Sequence, residues 1–183
     1  MKLEPIVKDY TYHIYNRGIN GENIFTNEEN KMYFLKLLGK YVADSSSLFA
    51  YCLMDNHFHL LIRIDSDGEV MTQNLSNLFN AYAKAFNKAT VRTGSLFEKH
   101  FKRIRVDDEN YLRQLIVYIH LNPKHHFDID FTGFKYSSYN SFLSNKGTKL
   151  MRDDVIELFG DIENFKYTHL FRRDILDEKY TLE

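Results

Sequence analysis

The stretch MDNHFHLLIRI, residues 54 to 64, sets two histidines, His57 and His59, either side of one phenylalanine at the mouth of an aliphatic run. Rich in Phe, Leu and Ile and preceded by Asp55-Asn56, the run reads as a β-strand, in which side chains alternate faces with a period of two. His57 and His59 then share a face and Phe58 takes the other. Two imidazoles on one face hold a metal ion, or are solvent-facing polar residues of a half-buried strand. Further along, YIHLNP at 118 to 123 offers Tyr118 and Asn122, four residues apart and so neighbours on one helix face. Taken alone, Tyr118 is an amphipathic rim residue and Asn122 a helix-end residue before Pro123. Taken together, the four suggest a metal-assisted reaction at phosphorus. Two imidazoles and an amide oxygen leave coordination positions open for phosphate oxygens. A phenol, with an ordinary pKa near 10, needs such help to act as a nucleophile. This donor set is harder than that of a zinc hydrolase and suits magnesium or manganese better.

The elements that must position these residues follow from pattern. YTYHIYNRGI (10 to 19) alternates into a first strand that ends at Gly18. Residues 27 to 43 form a first helix, capped by Asn27, with Met32, Leu35, Leu38 and Val42 at helical spacing. The second and third strands, SSSLFAYCLM and HFHLLIRI, join through a tight hairpin at Asp55-Asn56. Leu75, Leu78, Phe79, Tyr82 and Phe86 make the stripe of a second helix over 72 to 90, and 95 to 106 alternates into a fourth strand. This β-α-β-β-α-β order predicts an α+β, ferredoxin-like fold: four antiparallel strands, two helices on one face and the other face free for a ligand. A third helix runs from 108 to 122, capped by Asp107 or Asp108 and stopped by Pro123. Leu112, Leu115, Ile116 and Ile119 are its packing side. Short helices at 136 to 143 and 152 to 159 follow. We expect residues 1 to 143 to be a catalytic domain and 144 to 183 an acidic helical extension of it.

Composition sets bounds. A chain of 183 residues with 44% hydrophobic and 15% aromatic residues is globular and long enough for one domain. Its single cysteine, Cys52, sits in an apolar run as a buried structural thiol. The N-terminal segment has no continuous apolar stretch and no run is long enough to cross a bilayer, so a cytoplasmic protein with no membrane partner is expected. The net charge is only -1, but Lys84 to Arg105 carries seven basic residues against Glu98 alone, and the segment from Met151 on is acidic. A basic middle points to a local anionic partner. Lys99, Lys102, Arg103 and Arg105, with Arg17 in the first strand, are the candidate phosphate contacts, although a solvated strand edge has the same composition. Phe97 and Phe101 stack on bases or belong to the core.

With these residues in view, DNHFHLLI resembles the His-hydrophobic-His motif of the HUH nucleases. YIHLNP after GSLFEKHFKRIRV, with YNRG near the start, is similar to the single-tyrosine, IS200-like transposases associated with repetitive extragenic palindromes. The resemblance spans about residues 10 to 142, with the motifs in the family's order. It implies that His57 and His59 bind a divalent metal, magnesium or manganese, with Asn122 at the amide ligand's position. It implies that Tyr118 is the nucleophile, and that single-stranded DNA with a hairpin is cleaved and rejoined through a 5'-phosphotyrosyl intermediate by a monomer or homodimer. KHHFDIDF after Pro123 departs from the family pattern, and His125 and His126 read as solvated. Tyr111 is a rival nucleophile, lacking an amide one turn on; His120 faces away from Tyr118 as polar surface; His13 approaches the metal face or, the better reading, is a hydrogen-bonded structural histidine. The competing class is a non-catalytic single-stranded nucleic-acid-binding module whose open sheet stacks bases. Such a binder has no need of two same-face histidines with Tyr118 and Asn122.

Overall fold

The computed structural model describes residues 4 to 171. The last part of the acidic extension, 172 to 183, lies outside the described residues. Strands β1 (Thr11–Arg17), β2 (Ser46–Leu53), β3 (His57–Ile64) and β4 (Lys102–Val106) form one antiparallel sheet in the order β2-β3-β1-β4. Helices α1 (Glu28–Tyr41) and α2 (Gly68–Thr90) connect them in the split βαβ pattern that the sequence predicts. Both helices pack on one face, over Tyr12, Ile14, Phe58, Leu60, Ile62 and Ile64. Asn27 caps α1 by accepting the Asn30 N–H at 2.9 Å, and Asp67 caps α2 by accepting that of Glu69 at 2.8 Å, one turn earlier than expected. The inward face of α1 is Lys31, Phe34, Leu37 and Leu38 rather than the stripe through Met32, which is exposed. Two stripes of nearly equal spacing run along this helix, and the one carrying Phe34 buries more apolar surface.

The other sheet face is covered rather than free. Helix α3 (Glu109–Phe127) lies across it with α4 (Tyr139–Leu143), α5 (Arg152–Leu158) and α6 (Ile162–Phe171), the last not expected from the sequence pattern. Leu115, Ile116 and Ile119 pack with Ala50, Cys52, Leu61 and Val106 of the sheet and with Val155 and Phe165 of the terminal helices. Burial pushes the Cys52 thiol pKa up, as befits a structural cysteine. Helix α3 also passes through Pro123, where a stop was expected. A proline removes one hydrogen bond to the preceding turn. Here the buried ring of Pro123 packs in place and the helix runs one turn further. It ends at Asp128, in the left-handed conformation, whose N–H donates to the Lys124 carbonyl at 3.1 Å. Strand β4 is shorter than predicted, starting at Lys102, because 95 to 101 bends around the edge of α2 with only Phe97 bridging Gly18. Gly18 is required where β1 ends: a Cβ there would fall 1.9 Å from the Glu22 carbonyl oxygen.

Candidate active site

In an antiparallel sheet, residues paired directly across strands share a face. The register sets Tyr15 opposite His59 and Arg17 opposite His57 on β1 and β3, and Lys102 of β4 opposite Tyr15. These side chains, with His13, therefore occupy the α3 face. Because α3 covers them, His57 and His59 are 7% and 1% exposed rather than solvent-facing. Buried imidazoles must be hydrogen-bonded, and each of these has a hydrogen-bonding neighbour at Nδ1. Nδ1 of His57 lies 2.7 Å from Asn56 Oδ1 and its Nε2 lies 3.1 Å from Asn122 Oδ1. Nδ1 of His59 lies 2.8 Å from His13 Nε2. The two histidine rings are 5.1 Å apart, centroid to centroid.

Helix α3 brings its two residues to the same place. Asn122 Nδ2 donates to the Tyr118 carbonyl at 3.2 Å, which turns its Oδ1 toward His57. The Tyr118 ring stands edge-on to His59 at 5.6 Å. Tyr118 is 6% exposed, more enclosed than the rim position expected of it. If the Nδ1–H of His57 donates to Asn56, a neutral ring aims its Nε2 lone pair at the same space as the Asn122 oxygen. Two lone pairs converging in a buried place are what a divalent ion requires of its ligands, so the donor set fits one. Among the described residues, no three His, Cys, Asp or Glu side chains gather closely enough to hold an ion by themselves. The Asn122 amide oxygen, 3.1 Å from His57 Nε2, is the further donor beside the two histidines.

A sequence profile described as transposase, IS200-like, matches residues 6–122, more than half the chain and all four strands, Tyr118 and Asn122 included. The chain belongs to the IS200-like transposase family. Among solved structures, a REP-associated tyrosine transposase bound to a REP hairpin is similar in fold, with a TM-score of 0.61 at 14% identity over 79% of this chain and 86% of that one. No curated protein matches the sequence.

In this IS200-like transposase several residues sit elsewhere than the sequence suggested. His120 is not polar surface but fully buried, with Nδ1 2.8 Å from His169 Nε2 and Nε2 2.7 Å from Ser138 Oγ. Its pKa is held well below the ordinary value by desolvation first and by His169 second, and burial brings that of His169 down to about 4. Tyr111, buried in the α3 core, lies two turns or about 10 Å along the helix from Tyr118. Phe97 and Phe101 pack against the α1–α2 core, as the structural alternative had it.

The five basic candidates separate. Arg17 and Lys102 share the histidine face, Arg17 holding Glu98 at 2.7 Å while more than half exposed. Lys99 is exposed on the bend before β4. Arg103 and Arg105 pair with Ile14 and Tyr12 and so face the α1–α2 side. There Arg103 lies over the Phe101 ring, and Arg105 binds Asp107 at 2.7 Å. His125 and His126 are exposed, as the sequence suggested, but their place beside the site, like the Asn56 contact to His57, was not foreseen. The extra turn of α3 stands the His126 ring 5.0 Å from His57 and the His125 ring 6.2 Å from Tyr118. The i, i+4 ridge from Tyr118 through Asn122 to His126 carries that signal, hidden by reading Pro123 as a stop.

Proposed function

We propose that the chain is a metal-dependent transposase that cleaves and rejoins hairpin-bearing single-stranded DNA, with Tyr118 as nucleophile and His57, His59 and Asn122 as the ligands of a magnesium or manganese ion. The convergence of Tyr118 and Asn122 from one helix with two buried histidines of the central strand carries the reading. Family membership supports strand transfer, and the hairpin-bound transposase of similar fold supports the form of the DNA. In cleavage, the Tyr118 oxygen bonds to phosphorus as it loses its proton, and the 3'-oxygen leaves with the electrons of the broken P–O bond, in net taking up that proton as a free 3'-hydroxyl. The 5'-phosphate stays on Tyr118. Joining is the reverse, an incoming 3'-hydroxyl displacing the phenol, so no external energy source is consumed. A bound divalent ion would neutralise charge on the phosphate oxygens as phosphorus becomes five-coordinate. Helix α3 holds Tyr118 and Asn122 in a fixed relation, which removes much of the orientational cost of attack.

Arg17, Lys99 and Lys102 are proposed phosphate contacts at the rim of this site, and Arg103 and Arg105 contacts to DNA passing beyond the sheet edge. Residues 144 to 183 are read as an extension of the 1 to 143 catalytic domain, because α5 and α6 share the apolar core of α3. A cytoplasmic location is supported by the buried lone thiol and by the lack, among the described residues, of a helix long and apolar enough to cross a membrane. The working unit is a monomer or a homodimer. A non-catalytic base-stacking module is disfavoured because α3 covers the face such a module leaves open. Incubating the protein with hairpin-bearing single-stranded DNA and manganese, then running a denaturing gel, tests the function. A covalent protein–DNA band is expected, and its absence across hairpin sequences with both magnesium and manganese overturns the proposal.

A further inference from the structure

We propose that His13 is a positioning residue for His59, its Nε2 accepting the Nδ1–H of His59 so that the lone pair of His59 stays on Nε2, where an ion can take it. The inference rests on the reading of His59 as a metal ligand. A neutral imidazole carries one N–H and one lone pair, and either nitrogen can ligate. With Nδ1 of His59 only 2.8 Å from His13 Nε2, that nitrogen is engaged and Nε2 is the one that can ligate. A lone pair at Nε2 requires the proton at Nδ1, and His13 must then accept it. The hydrogen bond is buried, since His13 is 2% exposed, and a bond shielded from water holds a tautomer more firmly.

The fold prepares this contact. His13 pairs with Leu61 and Tyr15 with His59, so His13 and His59 are diagonal neighbours on one sheet face. Tyr15 stacks on the His13 ring at 4.8 Å and the His59 ring at 5.8 Å, and the two imidazoles stack at 5.0 Å. Ring planes and hydrogen bond are thereby fixed together. His57 has the matching device, with Asn56 Oδ1 at its Nδ1. Both histidines thus hold Nδ1 on a neighbour, the arrangement by which supporting residues orient metal-binding imidazoles.

The test uses the full chain at pH 8. Manganese affinity is measured by calorimetry for the wild type, His13→Phe, His13→Gln and His59→Ala, with circular dichroism to check folding. Long-range 1H–15N spectra of the metal-free protein read the His59 tautomer. The wild type should show His59 protonated at Nδ1. His13→Phe should weaken manganese binding about 10- to 100-fold, the usual effect of losing a supporting partner, and shift His59 toward the Nε2–H form. His13→Gln, whose side-chain oxygen reaches a similar point, should restore most of the affinity. A wild-type His59 protonated at Nε2 overturns the inference whether or not the variants fold. So does unchanged manganese affinity in folded His13→Phe. If His59→Ala alone keeps full affinity, the metal-ligand reading falls; if His59→Ala loses affinity while His13→Phe keeps it, only the role of His13 falls.

Discussion

As the proposed nucleophile, Tyr118 would act through a single atom, so deleting that atom isolates the chemistry from the scaffold. Tyr118→Phe keeps the ring that meets His59 edge-on, and loss of one polar group costs about 0.5–1.5 kcal/mol. The variant should fold, bind manganese and retain hairpin DNA, yet give no covalent band. Should a band persist, mass spectrometry of the adduct peptide would move the nucleophile to Tyr111. Asn122 has two tasks, offering Oδ1 toward His57 and tying Nδ2 to the Tyr118 carbonyl. Asn122→Ala should slow adduct formation by at least about tenfold at limiting manganese, as for a metal-site partner, and recover at high manganese. A rate independent of manganese would remove Asn122 from the donor set. At this scale the sequence was informative where spacing alone decides proximity, as for His57 with His59 and Tyr118 with Asn122. It gave His13 as a hydrogen-bonded histidine, as found, but not its partner His59, and it was silent on Asn56, because both contacts depend on strand register and side-chain direction rather than on spacing.

The helical layer on the far side of the sheet is held by a polar chain through His169, His120 and Ser138. His169 Nδ1–H donates to the Phe165 carbonyl at 2.7 Å, leaving its Nε2 to accept from His120 Nδ1–H. His120 Nε2 then accepts from the Ser138 hydroxyl, whose oxygen accepts the Tyr51 N–H at 2.9 Å. The chain is satisfied with both imidazoles neutral, the state that burial favours by lowering both pKa values, that of His169 to about 4. The unfolded chain therefore binds protons that the folded one refuses. Stability should be flat above about pH 6.5 and fall as pH drops toward 4, by up to about 1.4 kcal/mol per pH unit for each histidine. Thermal melts from pH 7.5 to 4.5 check this: His169→Leu should lower stability at pH 7.5 and flatten the acid slope, and an unchanged slope would show that the pair stays charged or exposed. The βαββαβ elements were legible because each strand and helix carries its own period. The α3 turn past Pro123 and helix α6 were not, since one needs burial of the proline to outweigh its missing hydrogen bond and the other packs through Phe165 and His169 with little periodic signal.

The molecule as a whole is nearly neutral, with a net charge of -1, so attraction to a polyanion must come from where its cations sit. Composition located a basic middle segment but not its geometry, because alternate residues of β4 part to opposite sides of the sheet. Arg17 and Lys102 flank the histidines, whereas Arg103 and Arg105 are turned to the α1–α2 side and engaged with Phe101 and Asp107. Phosphate contacts release counterions, at about 0.7 per phosphate for single strands in the slope of log affinity against log salt. Replacing Arg17 and Lys102 together by Gln should weaken hairpin binding across sequences and make that slope shallower by roughly 1.4, two contacts' worth. Replacing Arg103 and Arg105 by Gln measures how far the DNA runs beyond the site: an equal loss means the strand crosses the β4 edge to the helix side, and an unchanged slope confines it to the α3 face. The binding isotherms, taken over a salt series with Tyr118→Phe as the background so that no covalent capture intrudes, separate the two. If the Arg17 and Lys102 pair leaves the slope unaltered, single-stranded DNA does not approach the histidines from the β1–β4 side, and the path proposed for it to Tyr118 is wrong.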